Sequence, residues 1–122
     1  MAMPHQSLKF RRAQRLTRAS EFRRVRDFGW RLPGNLLSVA VLKDPSPDPL
    51  RVGIVTSRKL GAAVVRNRVR RRLREIVRRH QHEIAAGTCM VVIARPSAAA
   101  ASYHRLEEEL LRLARHASIL NA

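Results

Sequence analysis

Apolar residues form continuous runs in some parts of the chain and a helical repeat in others, and the two patterns predict different elements. Three runs rich in branched aliphatic residues, without helix caps, predict strands over residues 36–42, 50–57 and 89–94. The last of them, CMVVIA, is apolar throughout, which is typical of a strand covered on both faces. Three prolines in the stretch KDPSPDP exclude regular structure between the first two runs.

A first helix is predicted over residues 17–28, TRASEFRRVRDF, where apolar residues recur every three positions. Thr17 or Ser20 is its candidate N-cap. The apolar repeat comprises Phe22, Val25 and Phe28, and Gly29 ends the helix. The following GWRLPG predicts either a turn or a short irregular strand.

The central helix is predicted from one apolar stripe inside a segment dominated by arginine. Residues 64–80 read VVRNRVRRRLREIVRRH, with eight arginines and one glutamate in seventeen residues. The apolar stripe covers about a third of the helix circumference, and Gly87 is its predicted terminator. The stripe consists of Val65, Val69, Leu73, Ile76, Val77 and Ile84, and the polar surface consists of Asn67, Arg68, Arg70, Arg71, Arg72, Arg74, Arg78 and Arg79.

A last helix is predicted from Ser102, a good N-cap, to about residue 117. The acidic triplet of residues 107–109 lies near its N-terminus and predicts a solvated face stabilised by the helix dipole. Its core stripe is Tyr103, Leu106, Leu110, Leu113 and Ala117. The elements together predict an α+β fold, a two-layer sandwich built on a single sheet.

Length and charge narrow the class of protein. The 122 residues suffice for one domain with a modest core, and 25 Lys and Arg against 9 Asp and Glu give a formal charge of +16. Such a charge favours nucleic acid as the partner, with an anionic membrane second. We predict a flexible basic arm over residues 1–14, a domain over residues 15–118 and a tail over residues 119–122.

Candidate catalytic chemistry is sparse. The single Cys89 lies within an apolar run and is interpreted as a buried strand residue. His80 and His82 lie on different helix faces, so neither a metal site nor a catalytic residue is predicted. No apolar run approaches the ~18 residues of a membrane span and no secretory signal is recognisable, which favours a cytoplasmic location.

The arginine helix carries the functional signal. A solvated helix normally intersperses acids four residues from its basic residues, and Glu75 alone is available here. Arg66, Arg70 and Arg74 recur every four residues, a spacing suited to phosphates, which arginine binds in bidentate fashion. A strand precedes this helix where a DNA reader would have a helix-turn-helix neighbour, so RNA is favoured over DNA.

The stretch SRKLGAAVVRNRVRRRLRE, residues 57–75, resembles the signature of the bacterial ribonuclease P protein subunit. The signature is a strand ending in Ser-Lys/Arg-Lys, a glycine, Ala-Val and then Arg-Asn-Arg. The resemblance extends over residues 9–118 and implies the element order αβββαβα with a left-handed crossover through the basic helix. Generic chain rules favour right-handed crossovers in about 98% of cases.

The resemblance also implies a function: a protein cofactor of a ribozyme that removes the 5′ leader of precursor tRNA. Its partners would be the catalytic RNA subunit and precursor tRNA, with neither membrane nor DNA. The protein itself would hold no cofactor, because the catalytic groups and Mg²⁺ would belong mainly to the RNA.

Site residues follow from the resemblance position by position. The RNA-binding helix would use Arg66, Asn67, Arg68, Arg70, Arg71 and Arg74. The leader cleft would use Phe22, Arg26, Arg58 and Lys59. The family has aromatic residues at two cleft positions where this chain has Arg26 and Ala40.

Three other functions compete with this interpretation. A ribosomal or ribosome-associated RNA-binding protein would also be small and basic, but would lack the ordered signature. A true nuclease would cleave without any RNA partner and depend on a carboxylate. A membrane-surface helix is the weakest alternative, because the apolar stripe is needed to cover the sheet.

Overall fold

Three helices and four strands make up the computed structural model, which describes residues 15–16, 18–43 and 50–119. The predicted arm over residues 1–14, the candidate cap Thr17 and the proline-rich loop lie outside the described residues. The helices are α1 (Ala19–Phe28), α2 (Ala63–His80) and α3 (Tyr103–His116), and the strands are β1 (Trp30–Pro33), β2 (Leu37–Lys43), β3 (Arg51–Thr56) and β4 (Thr88–Ala94).

The four strands form one sheet in the order β1-β2-β4-β3. β2 pairs antiparallel with β1 and with β4, whereas β3 and β4 are parallel and α2 connects them. The α+β class and the order αβββαβα are confirmed, and GWRLPG contains a short strand and not only a turn. The left-handed sense of the crossover stays a prediction.

The core lies on both faces of β4, six of whose seven residues are buried. Met90 and Val92 pack with α2 and α3 in the larger cluster, whereas Cys89 and Val91 pack with α1 in the smaller one. Helices therefore flank both faces of the sheet. The predicted two-layer arrangement is wrong, because α1 adds a third layer.

The start and the apolar face of α1 differ from the prediction. Arg18 occupies the N-cap position without a side-chain hydrogen bond, and Ser20 lies inside the helix, so Ser20 is not the cap. Phe22 and Val25 pack against the sheet as predicted. Phe28, the last residue of the helix, is 78% exposed, so the predicted apolar repeat does not extend to it.

The apolar stripe of α2 is confirmed over most of its length. Val69, Leu73, Ile76 and Val77 are fully buried. The helix nevertheless ends at His80 and gives way to a 3-10 turn over residues 81–83, so Gly87 does not terminate it. Ile84 is buried beyond the helix, where the chain has already turned toward β4.

α3 begins as predicted but uses its acidic residues differently. Ser102 Oγ accepts the Arg105 N–H at 3.2 Å. The buried carboxylate of Glu109 accepts the N–H groups of Leu36 and Leu37, both at 2.6 Å. The predicted solvated acidic face is therefore wrong for Glu109, which fixes the β1–β2 turn.

Ile119 ties the end of the described chain to the core. Ile119 is fully buried in the larger core cluster. Its carbonyl accepts the Ala85 N–H at 2.7 Å, which joins the end of α3 to the segment before β4.

His80 links α2 to α3 through two carboxylates. Its Nε2 lies 2.9 Å from Glu107 Oε2, and its Nδ1 contacts Glu83. Burial alone would lower the pKa of His80, but the hydrogen bonds to Glu107 and Glu83 and the charge of both carboxylates outweigh it and raise that pKa above 6.5. When it is protonated, the imidazole therefore stabilises the contact between the two helices.

We expect this contact to make stability depend on pH. A histidine whose pKa is raised by folding contributes its full stabilisation below its unfolded pKa and loses it as the pH rises through the folded value. The difference in free energy of unfolding between wild type and His80→Gln should therefore be largest at and below about pH 6 and shrink as the pH rises into the mildly alkaline range. Urea denaturation across that range measures it, and a difference independent of pH would contradict a charged contact.

Candidate RNA interface

A cleft of about 610 Å³ lies between α1 and the sheet. Its floor receives apolar side chains from β2, β3 and β4 and an arginine from β1, whereas α1 forms its wall. The lining residues are Ala19, Phe22, Arg23 and Arg26 of α1, Arg31 of β1, Ala40 of β2, Val55 of β3, and Val91 and Ile93 of β4. The cleft therefore runs across the strands from one edge of the sheet to the other.

Gly53 leaves the space in which the Phe22 ring packs against the sheet. A Cβ added to Gly53 would lie 2.4 Å from Phe22 Cε1 and 2.5 Å from Cζ, so the ring rests directly on the β3 backbone. Any side chain at this position would displace the ring. Phe22 thus presents a fixed aromatic surface beside the apolar floor.

Three arginines supply positive charge to the cleft. Arg23 and Arg26 come from α1, and Arg31 comes from β1. The predicted cleft residues Phe22 and Arg26 do line the cleft, and so does Ala40. Arg58 and Lys59 do not line it, because they lie on an exposed 3-10 turn beyond the end of β3.

One row of arginines on α2 faces the edge of β3. Arg70 Nη2 donates to Thr56 Oγ1 at 2.5 Å, and Arg66 Nε is buried without a hydrogen-bond partner in the described part of the chain. Burial, together with repulsion from Arg15 and Arg70, lowers the pKa of Arg74. An anion placed along this row would relieve that repulsion.

A second row on α2 borders a groove of about 450 Å³ lined by Val64, Asn67, Arg68, Arg71 and Arg72. Arg68 Nη2 donates to the Ala99 carbonyl at 3.1 Å, and Arg72 Nη1 donates to the Ala101 carbonyl at 2.9 Å. These two side chains therefore also fix the segment before α3, whereas Arg71 is exposed. The predicted RNA-binding residues are thus divided between two rows on one helix.

Neither a metal centre nor a catalytic carboxylate stands out in residues 15–16, 18–43 and 50–119. No group of three or more His, Cys, Asp or Glu within these ranges could hold a metal ion. Glu75 pairs with Arg78 at 2.6 Å, and Glu21 pairs with Arg51 at 2.9 Å. No helix in the same ranges is long and apolar enough to cross a membrane.

Sequence reasoning missed three arginines of these surfaces. Arg15 repels Arg74, and Arg23 and Arg31 line the cleft. Arg31 could have been found by assigning GWRLPG to a strand, because it pairs with Ala40 and shares its face of the sheet. Arg15 could not have been found from the sequence, because its position depends on the bridge that it forms with Val52 of β3.

The fold and the two surfaces define a small, strongly basic α+β protein built to bind RNA. The family model described as ribonuclease P matches residues 10–118. The chain is 42% identical over 115 residues to the ribonuclease P protein component of Chloroflexus aurantiacus, covering 92% of this chain and 83% of the relative. It is 38% identical over 112 residues to that of Gluconacetobacter diazotrophicus, covering 91% and 97%.

Solved structures agree with the sequence comparisons. The ribonuclease P protein of Staphylococcus aureus superimposes with a TM-score of 0.82 at 28% identity, covering 90% of this chain and 100% of that one. The protein of Thermotoga maritima gives a TM-score of 0.75 at 32% identity, covering 84% and 96%. The chain belongs to the ribonuclease P protein family and has its role, the protein component of an endoribonuclease that processes tRNA. These relatives give no support to the ribosomal alternative.

Substitutions on α2 should separate RNA binding from stability. Arg68→Ala, Arg71→Ala and Arg74→Ala should each weaken RNA binding and lower the log–log salt slope by about one unit or less. Arg74→Ala should not destabilise the protein, because it removes a repelled charge. Leu73→Ala should cost about 2–5 kcal/mol of unfolding free energy.

Filter binding across a salt series and urea denaturation measure the two effects. Arg71→Ala is the cleanest surface variant, because Arg68 also holds the Ala99 carbonyl. A stable Leu73→Ala protein beside an unfolded Arg71→Ala protein would mean that the helix is oriented the other way.

Proposed function

We propose that the two surfaces divide the work within the holoenzyme: α2 binds the catalytic RNA subunit, and the cleft binds the 5′ leader of precursor tRNA. The observation that carries this proposal is the contrast in their chemistry. The cleft combines an aromatic ring, an apolar floor and flanking arginines, which suits single-stranded RNA. α2 presents rows of arginine without a comparable apolar floor, which suits the phosphates of a folded RNA.

Catalytic groups belong to the RNA subunit in this proposal. Support comes from the acidic residues in the described part of the chain, which are engaged in internal contacts such as those of Glu75 with Arg78 and Glu109 with the β1–β2 turn. Mg²⁺ would be held mainly by RNA phosphates, where it supplies charge stabilisation to phosphodiester hydrolysis. We also propose a cytoplasmic location, because the protein must meet its substrate, precursor tRNA.

Reconstitution tests this assignment. The purified protein alone should leave precursor tRNA intact, and addition of the catalytic RNA should produce cleavage at the mature 5′ end. Cleavage by protein rigorously freed of RNA would overturn the proposal and favour the true nuclease. Glu75→Gln and Glu109→Gln holoenzymes provide the control, because the chemical step should persist in any variant that stays folded.

Leader recognition should depend strongly on salt. Arg26 lines the cleft at a position where the family has an aromatic residue, and Ala40 leaves the floor without another ring. A base stacked on an aromatic ring gains about 1–3 kcal/mol with little salt dependence, whereas attraction of phosphates to arginine is screened. Arg26→Phe should therefore make the leader-dependent part of the affinity less sensitive to salt.

The measurement compares holoenzyme affinity for precursor tRNA with long and very short leaders across a salt series. Phe22→Ala should lower the leader-dependent affinity at every salt concentration, because it removes the ring. An unchanged salt slope in Arg26→Phe would show that Arg26 does not contact the leader.

A further inference from the structure

An exposed tryptophan stands outside both surfaces. Trp30 is the single tryptophan of the chain and is 59% exposed, at the start of the edge strand β1. Within the described ranges, the other large exposed apolar residues are Phe28 and Val64. Val64 belongs to the α2 groove, so Phe28 and Trp30 form a separate exposed aromatic corner between α1 and β1.

The strand register shows which side of the sheet Trp30 occupies. It pairs with Val41, which is buried in the core cluster of α2 and α3. Leu32, two residues on, packs against the same cluster. Trp30 therefore lies on the α3 side of the edge strand, whereas its neighbour Arg31 lines the cleft on the α1 side.

Three basic residues lie on the elements that border this side of β1. Lys43, at the end of β2 that lies beside Trp30, donates its Nζ hydrogen to the Ser118 carbonyl at 3.2 Å. This hydrogen bond holds that end of β2 close to the end of α3. Arg112 and His116 share a helix flank with Glu109, which contacts the β1–β2 turn, so this flank of α3 faces β1. Glu109 is buried, bonded to the turn and paired with Arg112 at 3.3 Å, where Arg112 stays half-exposed, and Glu108 is paired with His104.

The cleft leads to this corner. Its lining crosses all four strands and reaches β1 at Arg31. A single strand lying in the cleft leaves the sheet at the two edge strands, β3 and β1. At the β1 edge it meets Arg31 on one side and Trp30 on the other.

We propose that the distal part of the 5′ leader rounds the β1 edge and stacks an unpaired base on Trp30, with Lys43, Arg112 and His116 beside its phosphates. This inference rests on the proposed binding of the leader in the cleft. The positive rim and the net charge of +16 favour a polyanion over an apolar protein segment as the occupant. An indole stacks any base, so the site adds affinity without demanding a sequence.

Tryptophan fluorescence of the holoenzyme reads this site directly, because the RNA subunit contributes no tryptophan. Substrates with a leader series from very short to long are added at saturation. Long leaders should quench Trp30 emission, and leaders too short to leave the cleft should not. Equal emission with short and long leaders would overturn the inference.

Affinity measurements give the second readout. A long leader should raise the affinity of the wild-type holoenzyme for precursor tRNA, and Trp30→Ala should reduce this gain about five- to tenfold, which corresponds to the lower end of the stacking energy. The affinity of Trp30→Ala for a substrate with a short leader should be unchanged. Trp30→Phe should retain most of the gain. Arg112→Gln should reduce the gain, whereas Arg105→Gln, farther along the same helix flank, should leave it unchanged.

Other occupants give different results. Quenching by the RNA subunit before substrate is added would assign Trp30 to that RNA and overturn the inference. Quenching that follows protein concentration without RNA would assign it to a second copy and also overturn it. If Phe22→Ala weakens leader binding while Trp30→Ala does not, this inference alone fails; if neither changes it, the proposed cleft function fails as well.

Discussion

Burial of β4 on both faces is the constraint on which the rest of the fold depends. The strand pairs with β2 on one side and β3 on the other, so its backbone groups are satisfied within the sheet. Its side chains then need apolar cover above and below. α2 and α3 together cover one face, but α1, with ten residues, is the only described helix on the other. A single helix of ten residues leaves part of that face without cover, and the uncovered part is the cleft.

The distribution of acidic residues explains how so much positive charge is left for a ligand. The seven acidic residues in the described part of the chain all have partners within the protein. Some fix structure: Glu109 holds the β1–β2 turn, and Glu107 and Glu83 bind His80. The others pair with Arg26, Arg51, Arg78 and His104. Little negative charge remains to neutralise the arginine rows of α2, which is why a polyanion complements this surface.

Local patterns in the sequence predicted the elements well, because helix and strand periods depend on nearby residues. The stripe Val69, Leu73 and Val77 and the cap at Ser102 needed no knowledge of the rest of the chain. The role of Glu109 could not be predicted, because its partners lie more than seventy residues away. The link between His80 and Glu107 could not be predicted for the same reason, because Glu107 belongs to α3, 27 residues farther along the chain.

The candidate site also has one part that local sequence predicts and one part that depends on distant residues. The arginines of α2 are visible in sequence as a run, and the family signature assigns them to RNA. The cleft is a product of topology, since its lining comes from α1 and from four strands whose spatial order differs from their chain order. The family resemblance assigned Arg58 and Lys59 to the cleft, but both lie on a 3-10 turn, after the chain has left the sheet.

The strand order also joins the two surfaces mechanically. β3 forms one end of the cleft through Val55, and the next residue, Thr56, accepts a hydrogen bond from Arg70 of α2. The end of the cleft and the arginine row are therefore adjacent across a single residue step. In the proposed division of the two surfaces, a phosphate bound by Arg70 would therefore lie beside the β3 end of the cleft. The parallel pairing with β4 places this β3 end in the sheet whose other face α2 covers, so one strand contributes to both surfaces.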